Sequence, residues 1–408
     1  MKNFLKIIAP GLLIAATGVG AGDLAGGAFA GSKLGMLVVW AVILGAFFKY
    51  VLTEGLARYQ LATEKTFLEG LFLNFGRPAE IIFFIYLIIW SYAVGSAMIS
   101  ACGVAGHAVF PIFDSPEHGK IFWGVLHSLI GFLLVWIGTY TSFEKLMNVM
   151  VGLMFVTVVL TAIFIKPDLG DVVKGLVPNV PSYINPDGNE QGVVWTLALM
   201  GGVGGTLTIL SYGYWIKEKG RKGKDFLKIC RIDLAAAYIV TALFGIAMVV
   251  IASQIELDNQ SSARLIIVLT EKLDSILGKT ISSIFLIGAW AAVFSSLLGV
   301  WQSVPYMFTD FWNMVSKNDQ VEVNTKSKPY QYYLIALAFL PMISLSFNFV
   351  IIQKIYAFLG SFVIPLIALG LVLLNSKKFI STAQLRNKIS TQIVLVLIII
   401  FFIATALQ

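Results

Sequence analysis

The stretch TGVGAGDLAGGAFAG, from Thr17 to Gly31, places one acidic residue among glycines inside an apolar segment long enough to cross a bilayer. Asp23 is that residue. Glycine costs a helix about 1 kcal/mol per position relative to alanine. Unwound backbone at membrane depth persists only where it lines a polar cavity or is buried in protein. The stretch therefore predicts a transmembrane helix that is broken beside Asp23.

Composition places the whole chain in a membrane. Its 408 residues are 58% apolar and 12% charged, with a mean hydropathy of +0.85. Apolar runs of about 20 residues recur, each long enough to cross a bilayer as a helix. No long polar linker divides them, so we expect one transmembrane domain over residues 1–408, with the first run retained rather than cleaved. The eleven predicted spans, numbered in chain order, are 8–30, 36–58, 80–108, 121–139, 144–165, 192–215, 230–253, 281–304, 331–350, 354–375 and 389–407.

The positive charges predict the orientation of the spans. Twenty of the 29 Lys and Arg residues lie in the N-terminal segment and the loops on its side, and eight lie on the other side. Because cytoplasmic loops carry an excess of Lys and Arg, the first set is expected in the cytoplasm. An odd number of spans then places the C-terminus outside, in a multi-pass protein of the cell (inner) membrane. The net charge of +7 is thus a topology signal, and no nucleic acid is expected as a partner.

A second glycine cluster lies in span six, in MGGVGGTLTILSYGYW, residues 200–215. Spans one and six would open two five-span halves, and Gly18-Val19-Gly20 in the first corresponds to Gly202-Val203-Gly204 in the second. Glycine-interrupted helices at corresponding positions are typical of transporters with inverted repeats and a midplane site. The alternative is that the glycines only let helices pack closely, as we expect for the small residues spaced four apart from Gly22 to Ala30.

Six stretches resemble the Nramp family of divalent-metal transporters: IAPGLLIAATGVGAGD (8–23), EGLARYQLATEKTFLEG (54–70), VGSAM (94–98), KGLVPNVP (174–181), RIDLAAAYIVTALFGIAMVVIAS (231–253) and LGSFVIPLIALGLVLL (359–374). The resemblance implies an all-α membrane protein with the leucine-transporter-type bundle of five plus five helices. Its inverted repeats would cover approximately 8–165 and 192–375, with helices one and six broken and 389–407 as an extra helix. It also implies secondary active transport of a divalent cation of the Mn, Fe or Mg type by alternating access. No cofactor is expected beyond a coupling ion, H⁺ or Na⁺.

The chain departs from the family where the family binds metal. The family's Asp-Pro-Gly-Asn signature in span one corresponds here to Gly20-Ala21-Gly22-Asp23. Its Met-Pro-His signature in span six corresponds to Thr208-Ile209-Leu210, and its acidic pair in span three to Ile89 and Tyr92. The resemblance therefore supports the fold more strongly than the substrate.

Asp23 is the residue most expected to bind the substrate, because a carboxylate at mid-membrane is costly and usually functional. If the substrate is a metal ion, Asp23 is its expected ligand. Hydroxyls of span six and carbonyls freed by the breaks would complete the site. Oxygen ligands alone suit Mg²⁺, Mn²⁺ or Na⁺ rather than soft metals. A structural alternative for Asp23 is capping of the broken helix. The expected substrate-binding residues are Asp23, Gly20, Ala21, Thr206, Thr208 and Ser211.

Two other functions stay open. Glycines in place of metal ligands leave room for an amino-acid-like or other small organic solute. Tyr92, Tyr212, Tyr214 and Trp215 would then be candidates for an aromatic wall, although such residues more often pack or lie at the membrane interface. The second alternative is a non-transporting membrane sensor or scaffold, which accumulation of a solute against a gradient would exclude.

Four further residues are candidates for gating or coupling. Glu54 and Arg58 lie four apart near the end of span two, which predicts an ion pair on one helical face. His107, near the outer end of span three, could join a proton route. Asp233, beside Arg231 at the start of span seven, predicts an intracellular ion pair or gate.

The sequence contains no catalytic constellation, and we do not expect an enzyme. No cluster of His, Cys and Asp has metal-hydrolase spacing, and no phosphate-binding loop follows a strand. The two cysteines, Cys102 and Cys230, define neither a metal site nor a disulfide framework. The expected partners are the transported solute and the lipid bilayer, and the sequence does not predict an oligomeric state.

Overall fold

The computed structural model of the chain describes residues 9–184, 188, 190–255, 264–316 and 323–406. Helices make up nearly all regular structure in these residues, and one isolated β-bridge joins Ile184 and Glu190. The expectation of an all-α architecture is confirmed. The last residue of span eleven and the first residue of span one lie outside the described residues.

Helices occupy all eleven predicted positions. Nine stretches of the described residues are long and apolar enough to cross a membrane, and one of these, Ala21–Thr63, contains the second half of span one together with span two. Span nine is not among the nine, and its α-helix continues as the 3-10 helix Leu340–Ser346. The chain is therefore a multi-pass membrane protein. The helices of the eleven spans are Ala9–Gly18 with Ala21–Leu34, Val39–Thr63, Arg77–Val109, Pro116–Ile137, Tyr140–Phe164, Gly192–Gly202 with Ser211–Glu218, Leu227–Ser253, Lys279–Val315, Lys328–Phe339, Phe349–Leu374 and Ile389–Ala406.

Three short helices were not predicted, because none has the length or hydropathy of a span. Phe67–Phe75 follows span two and begins with a capping box, in which Thr66 and Glu69 each bond the other's backbone N–H. Leu169–Lys174 lies between spans five and six. Leu265–Leu277 precedes span eight and buries leucines spaced four apart on one face.

Burial separates the central spans from the peripheral ones. In the most apolar window of each stretch, 78% of residues are buried in span six and 72% in span eight. The corresponding shares are 28% in span four and 17% in span eleven. Because lipid replaces water around the periphery, exposed leucines and isoleucines there are expected. The polar residues discussed below lie mainly on the buried spans.

Span one runs parallel to span seven through the centre of the bundle. The Gly11 amide donates to Asp233 Oδ1 at 2.7 Å, near the beginning of both helices. Further along, a Cβ on Gly27 would lie 2.8 Å from Met248 Cβ. The two helices can approach this closely because Gly11 and Gly27 have no side chains. Gly35, with φ of +66°, ends the second half of span one before span two begins.

Candidate functional site

Span one is broken beside Asp23. Its first half ends at Gly18 and its second begins at Ala21, so Val19 and Gly20 lie between them. Asp23 falls in the first turn of the second half. A helix N-terminus presents unpaired amides and a partial positive charge, which favour a carboxylate there.

Span six is broken at the corresponding place. Its first helix ends at Gly202, and regular helix resumes only after residues 203–206. Gly204 and Gly205 have φ of +72° and +84°, in the left-handed region that residues with a side chain rarely adopt. The predicted pair of breaks is therefore present, and glycine is required in the second one by its backbone conformation.

The two breaks lie against each other, backbone to backbone. A Cβ on Gly18 would lie 2.6 Å from the carbonyl carbon of Gly204, and one on Gly22 would lie 3.1 Å from Gly202 Cα. The two explanations of the glycines, helix breaking and close packing, therefore both apply. Gly26 is looser, because a Cβ there would lie 3.8 Å from its nearest neighbour, Leu199 Cα.

Asp23 is fully buried where the breaks meet. Its Oδ2 accepts a long hydrogen bond of 3.4 Å from the Gly204 amide. Its Oδ1 has no hydrogen-bond partner among the described residues. Buried polar atoms are nearly always paired, so an unpaired carboxylate oxygen at such a place is a candidate ligand.

Lys49 of span two also reaches the break in span six, which the sequence did not predict. Its side chain is buried, and Nζ donates to the Gly201 and Val203 carbonyls at 3.1 Å each and to the Gly205 carbonyl. These bonds use all three donors of an ammonium group. The available signal was that Lys49, alone among the Lys and Arg residues, lies well inside a predicted span rather than at its end or in a loop.

The other expected substrate-binding residues have varied surroundings. Thr206 Oγ1 accepts from Trp90 Nε1 at 3.0 Å, whereas the buried Ser211 Oγ has no partner among the described residues. Gly20 packs against span eight, since a Cβ there would lie 2.2 Å from Ser296 Cβ. Of the Thr206 and Ser211 hydroxyls, that of Ser211 therefore keeps its hydrogen-bonding capacity unused among the described residues.

Thr208 and Ala21 complete the expected set. A Cβ on Gly205 would lie 2.6 Å from Thr208 Oγ1, so this hydroxyl lies beside the left-handed turn of span six. Ala21 lines a cleft of about 20 Å³ with Trp195 and Gln353. A second cleft, of about 10 Å³, is lined by residues that include Gln60 and Ser211's neighbour Leu210. Each cleft is large enough for about one water.

Comparison with known proteins identifies the family. The sequence profile of the Nramp family, described as natural resistance-associated macrophage protein-like, matches residues 11–408. The chain belongs to the Nramp family. This confirms the expectation of a membrane transporter rather than an enzyme.

The Nramp-family chain is also similar to individual proteins. It is 22% identical over 310 residues to the divalent metal cation transporter MntH of Mycobacterium leprae, covering 72% of this chain and 68% of that one. The crystal structure of a manganese transporter mutant from Eremococcus coleocola superposes with a TM-score of 0.76 at 14% identity, over 100% of this chain and 86% of that chain. MhsT in complex with L-phenylalanine gives a TM-score of 0.65 at 16% identity, over 98% and 97%. These likenesses confirm the leucine-transporter-type fold. The repeat boundaries at 8–165 and 192–375 stay a prediction.

Glu54 of this Nramp chain forms the predicted ion pair with Arg58 and a second one that was not predicted. Its Oε2 accepts from Arg58 Nε at 2.7 Å, and its Oε1 from Arg231 Nε at 2.8 Å. The pairing therefore joins spans two and seven. Arg58 also donates to the Arg386 carbonyl, next to span eleven.

Asp233 forms an ion pair as expected, but its partner is Arg221 and not its sequence neighbour Arg231. Asp233 Oδ2 accepts instead from Arg221 Nη1 and from the Tyr212 hydroxyl, at 2.9 Å each, and Oδ1 from the Gly11 amide. Residues two apart on a helix do not face each other, which is why Arg231 reaches Glu54 while Asp233 points into the protein. This Asp233 cluster (Gly11, Tyr212, Arg221 and Asp233) joins spans one, six and seven.

His107 lies at the end of span three, against the start of span four. It is buried, and a Cβ on Gly119 would lie 2.1 Å from its Nδ1, which has no partner among the described residues. These contacts are to a peripheral span. A role for His107 in a proton route stays a prediction.

The four candidates for an aromatic wall have different surroundings in the Nramp chain. The Tyr212 hydroxyl bonds Asp233, and the Tyr214 hydroxyl bonds Asp310 Oδ2 at 2.8 Å. Trp215 donates to Gln302 at 3.4 Å. Tyr92 is 43% exposed, as is its neighbour Ile89 at 51%, so the positions of the family's acidic pair lie on an outer surface of the bundle.

Proposed function

We propose that this protein is a secondary active transporter of divalent metal cations, which bind at mid-membrane between the breaks of spans one and six. The observation that carries the proposal is the fully buried Asp23 Oδ1, which has no protein partner among the described residues. The names of the similar proteins, a divalent metal cation transporter and a manganese transporter, support the same cargo.

The proposed site would bind a hard cation through oxygen atoms. Asp23 supplies the carboxylate, and Ser211 and the carbonyls of the broken span six supply neutral oxygens. Among the described residues, no group of three or more His, Cys, Asp or Glu could hold a metal ion. Mg²⁺ and Mn²⁺ suit oxygen ligands and keep waters when few carboxylates are present, so these two ions are the proposed cargo.

The first test is uptake of Mn²⁺ and Mg²⁺ into proteoliposomes. Asp23→Asn keeps the shape of the side chain and removes its charge, and we expect it to lower saturable uptake by at least about tenfold because the ion loses its only charged ligand. Asp310→Asn is the matched control, since Asp310 is a buried carboxylate bonded to Tyr214 and Thr66. It should leave uptake near the wild-type rate. Folded wild-type protein without uptake above empty vesicles would refute the metal proposal.

A small organic zwitterion is the second candidate substrate, and the charges at the break give a specific reason for it. Lys49 and Asp23 bond the same short segment of span six, Val203–Gly205, so a basic and an acidic side chain meet at the break. An amino acid carries the same two charges. Saturable uptake of a labelled amino-acid mixture, unaffected by Mn²⁺, would favour this candidate over metal.

We propose a cytoplasmic N-terminus and an external C-terminus, in the cell (inner) membrane. The excess of Lys and Arg in one set of loops supports this orientation. A fusion of alkaline phosphatase after residue 408 is expected to be active, and a fusion of green fluorescent protein at the same place is expected to be dark. The opposite pair of results would reverse the orientation.

A further inference from the structure

Lys49 occupies positions that a metal ion in the proposed site would need. Its ammonium group is held by the carbonyls of Gly201, Val203 and Gly205, all freed by the break in span six. Carbonyl oxygens in unwound helices are the groups with which this architecture coordinates ions. A protein cation therefore lies where a transported cation would find its neutral ligands.

The cargo and the Lys49 ammonium cannot share this place. The amide of Gly204 bonds Asp23, while the carbonyls on either side of Gly204 bond Lys49. A divalent ion on Asp23 would thus lie close to an ammonium group, in a region where both side chains are buried. Like charges repel most strongly in such low-dielectric surroundings. Binding of the ion requires Lys49 to leave its carbonyls.

When no ion is bound, Lys49 also provides hydrogen-bond donors for the freed carbonyls and a charge opposite to that of Asp23. A carrier that works by alternating access must change its orientation with the site empty, and the freed carbonyls would then be buried without partners. Unpaired polar groups and an uncompensated carboxylate are costly to bury. Lys49 provides three hydrogen bonds to the carbonyls and a positive charge near Asp23.

We propose that Lys49 acts as a tethered substitute for the cargo: it occupies the break in span six when the ion has left and so allows the empty carrier to return across the membrane. The inference rests on the proposed metal transport. Two transport reactions, net uptake and exchange, share every step except this return of the empty carrier. Net uptake requires the return of the empty carrier, whereas exchange of internal for external ion does not.

The test compares these reactions in proteoliposomes with radioactive Mn²⁺. Net uptake is measured into vesicles without Mn²⁺, and exchange into vesicles loaded with unlabelled Mn²⁺. Lys49→Met keeps the length of the side chain and removes its charge and donors. We expect it to lower net uptake by at least about tenfold and to leave exchange within about twofold of wild type.

Lys120→Met is the matched control. Lys120 is also a buried lysine bonded to a carbonyl, that of Phe347, but it lies on the peripheral span four. We expect Lys120→Met to leave the ratio of net uptake to exchange at its wild-type value. Lys49→Gln is a second neutral variant, which retains a hydrogen-bond donor should Lys49→Met fail to fold, and the same loss of net uptake is expected.

Two results would overturn the inference with metal transport intact. Net uptake at the wild-type rate in folded Lys49→Met or Lys49→Gln would show that the return does not need the tethered charge. Equal loss of uptake and exchange would show that Lys49 serves binding or folding instead. Wild-type protein that neither takes up nor exchanges Mn²⁺ would refute the metal proposal itself, and the inference with it.

Discussion

Replacing Gly18 by alanine is expected to abolish transport and lower the free energy of unfolding. The added Cβ would lie 2.6 Å from the carbonyl carbon of Gly204, which is backbone and cannot rotate away. Overpacking of this kind costs about 1–3 kcal/mol, and here the strain falls on the left-handed turn that shapes the break in span six. Uptake into proteoliposomes should fall to the level of empty vesicles, and the midpoint of thermal unfolding should fall as well.

Gly26→Ala is the matched control for this prediction. Gly26 lies on the same span and also faces span six, but its Cβ would lie 3.8 Å from Leu199 Cα, an ordinary contact. Because alanine is the better helix former, this variant should keep the stability of the wild type and its uptake. Equal activity of the two variants would show that the contact between the breaks is not needed for transport.

The spans and breaks could be predicted because their causes are local. Twenty consecutive apolar residues specify a membrane helix without reference to the rest of the chain. Glycines beside Asp23 weaken the helix that contains them, whatever packs against it. The boundaries of the helices depend on tertiary contacts, and span eight accordingly extends to Val315 instead of ending at 304.

The partners of the charged groups could not be predicted, because they come from distant parts of the chain. Lys49 is bound by carbonyls about 150 positions further along, and those carbonyls are available only because span six is unwound. The predicted pair of Glu54 and Arg58 is correct because both residues lie on one helix, four apart. Asp233 was assigned to a neighbour in sequence, whereas its true partner, Arg221, lies in the preceding loop.

The Asp233 cluster bears on how one end of the site closes. Asp233 is fully buried and holds span one through the Gly11 amide, span six through Tyr212 and the loop between spans six and seven through Arg221. In a transporter that works by movement of spans one and six, such a connection must break whenever this end opens. The arrangement is the kind of connection that a gate at this end would need, and the role of Asp233 as a gate stays a prediction.

Replacing Asp233 by alanine is expected to open this end of the protein. The change removes one partner of a buried ion pair and leaves the Arg221 guanidinium without this carboxylate, a loss of about 3–5 kcal/mol for buried pairs. Cys230 reports on the opening, because its sulfur lies 3.9 Å from Arg221 Nη1 and is buried in the closed state. Its rate of labelling by a membrane-impermeant maleimide should rise by at least about tenfold.

Cys102 provides the internal control in the same molecule. It is buried in span three, so it should stay unlabelled if Asp233→Ala opens the gate and become labelled if the protein unfolds. Site-by-site mass spectrometry separates the two outcomes. Asp171→Ala, which removes an exposed ion pair with Lys174, should change neither cysteine. Unchanged labelling of Cys230 in folded Asp233→Ala would show that spans one and six are held closed by contacts other than this cluster.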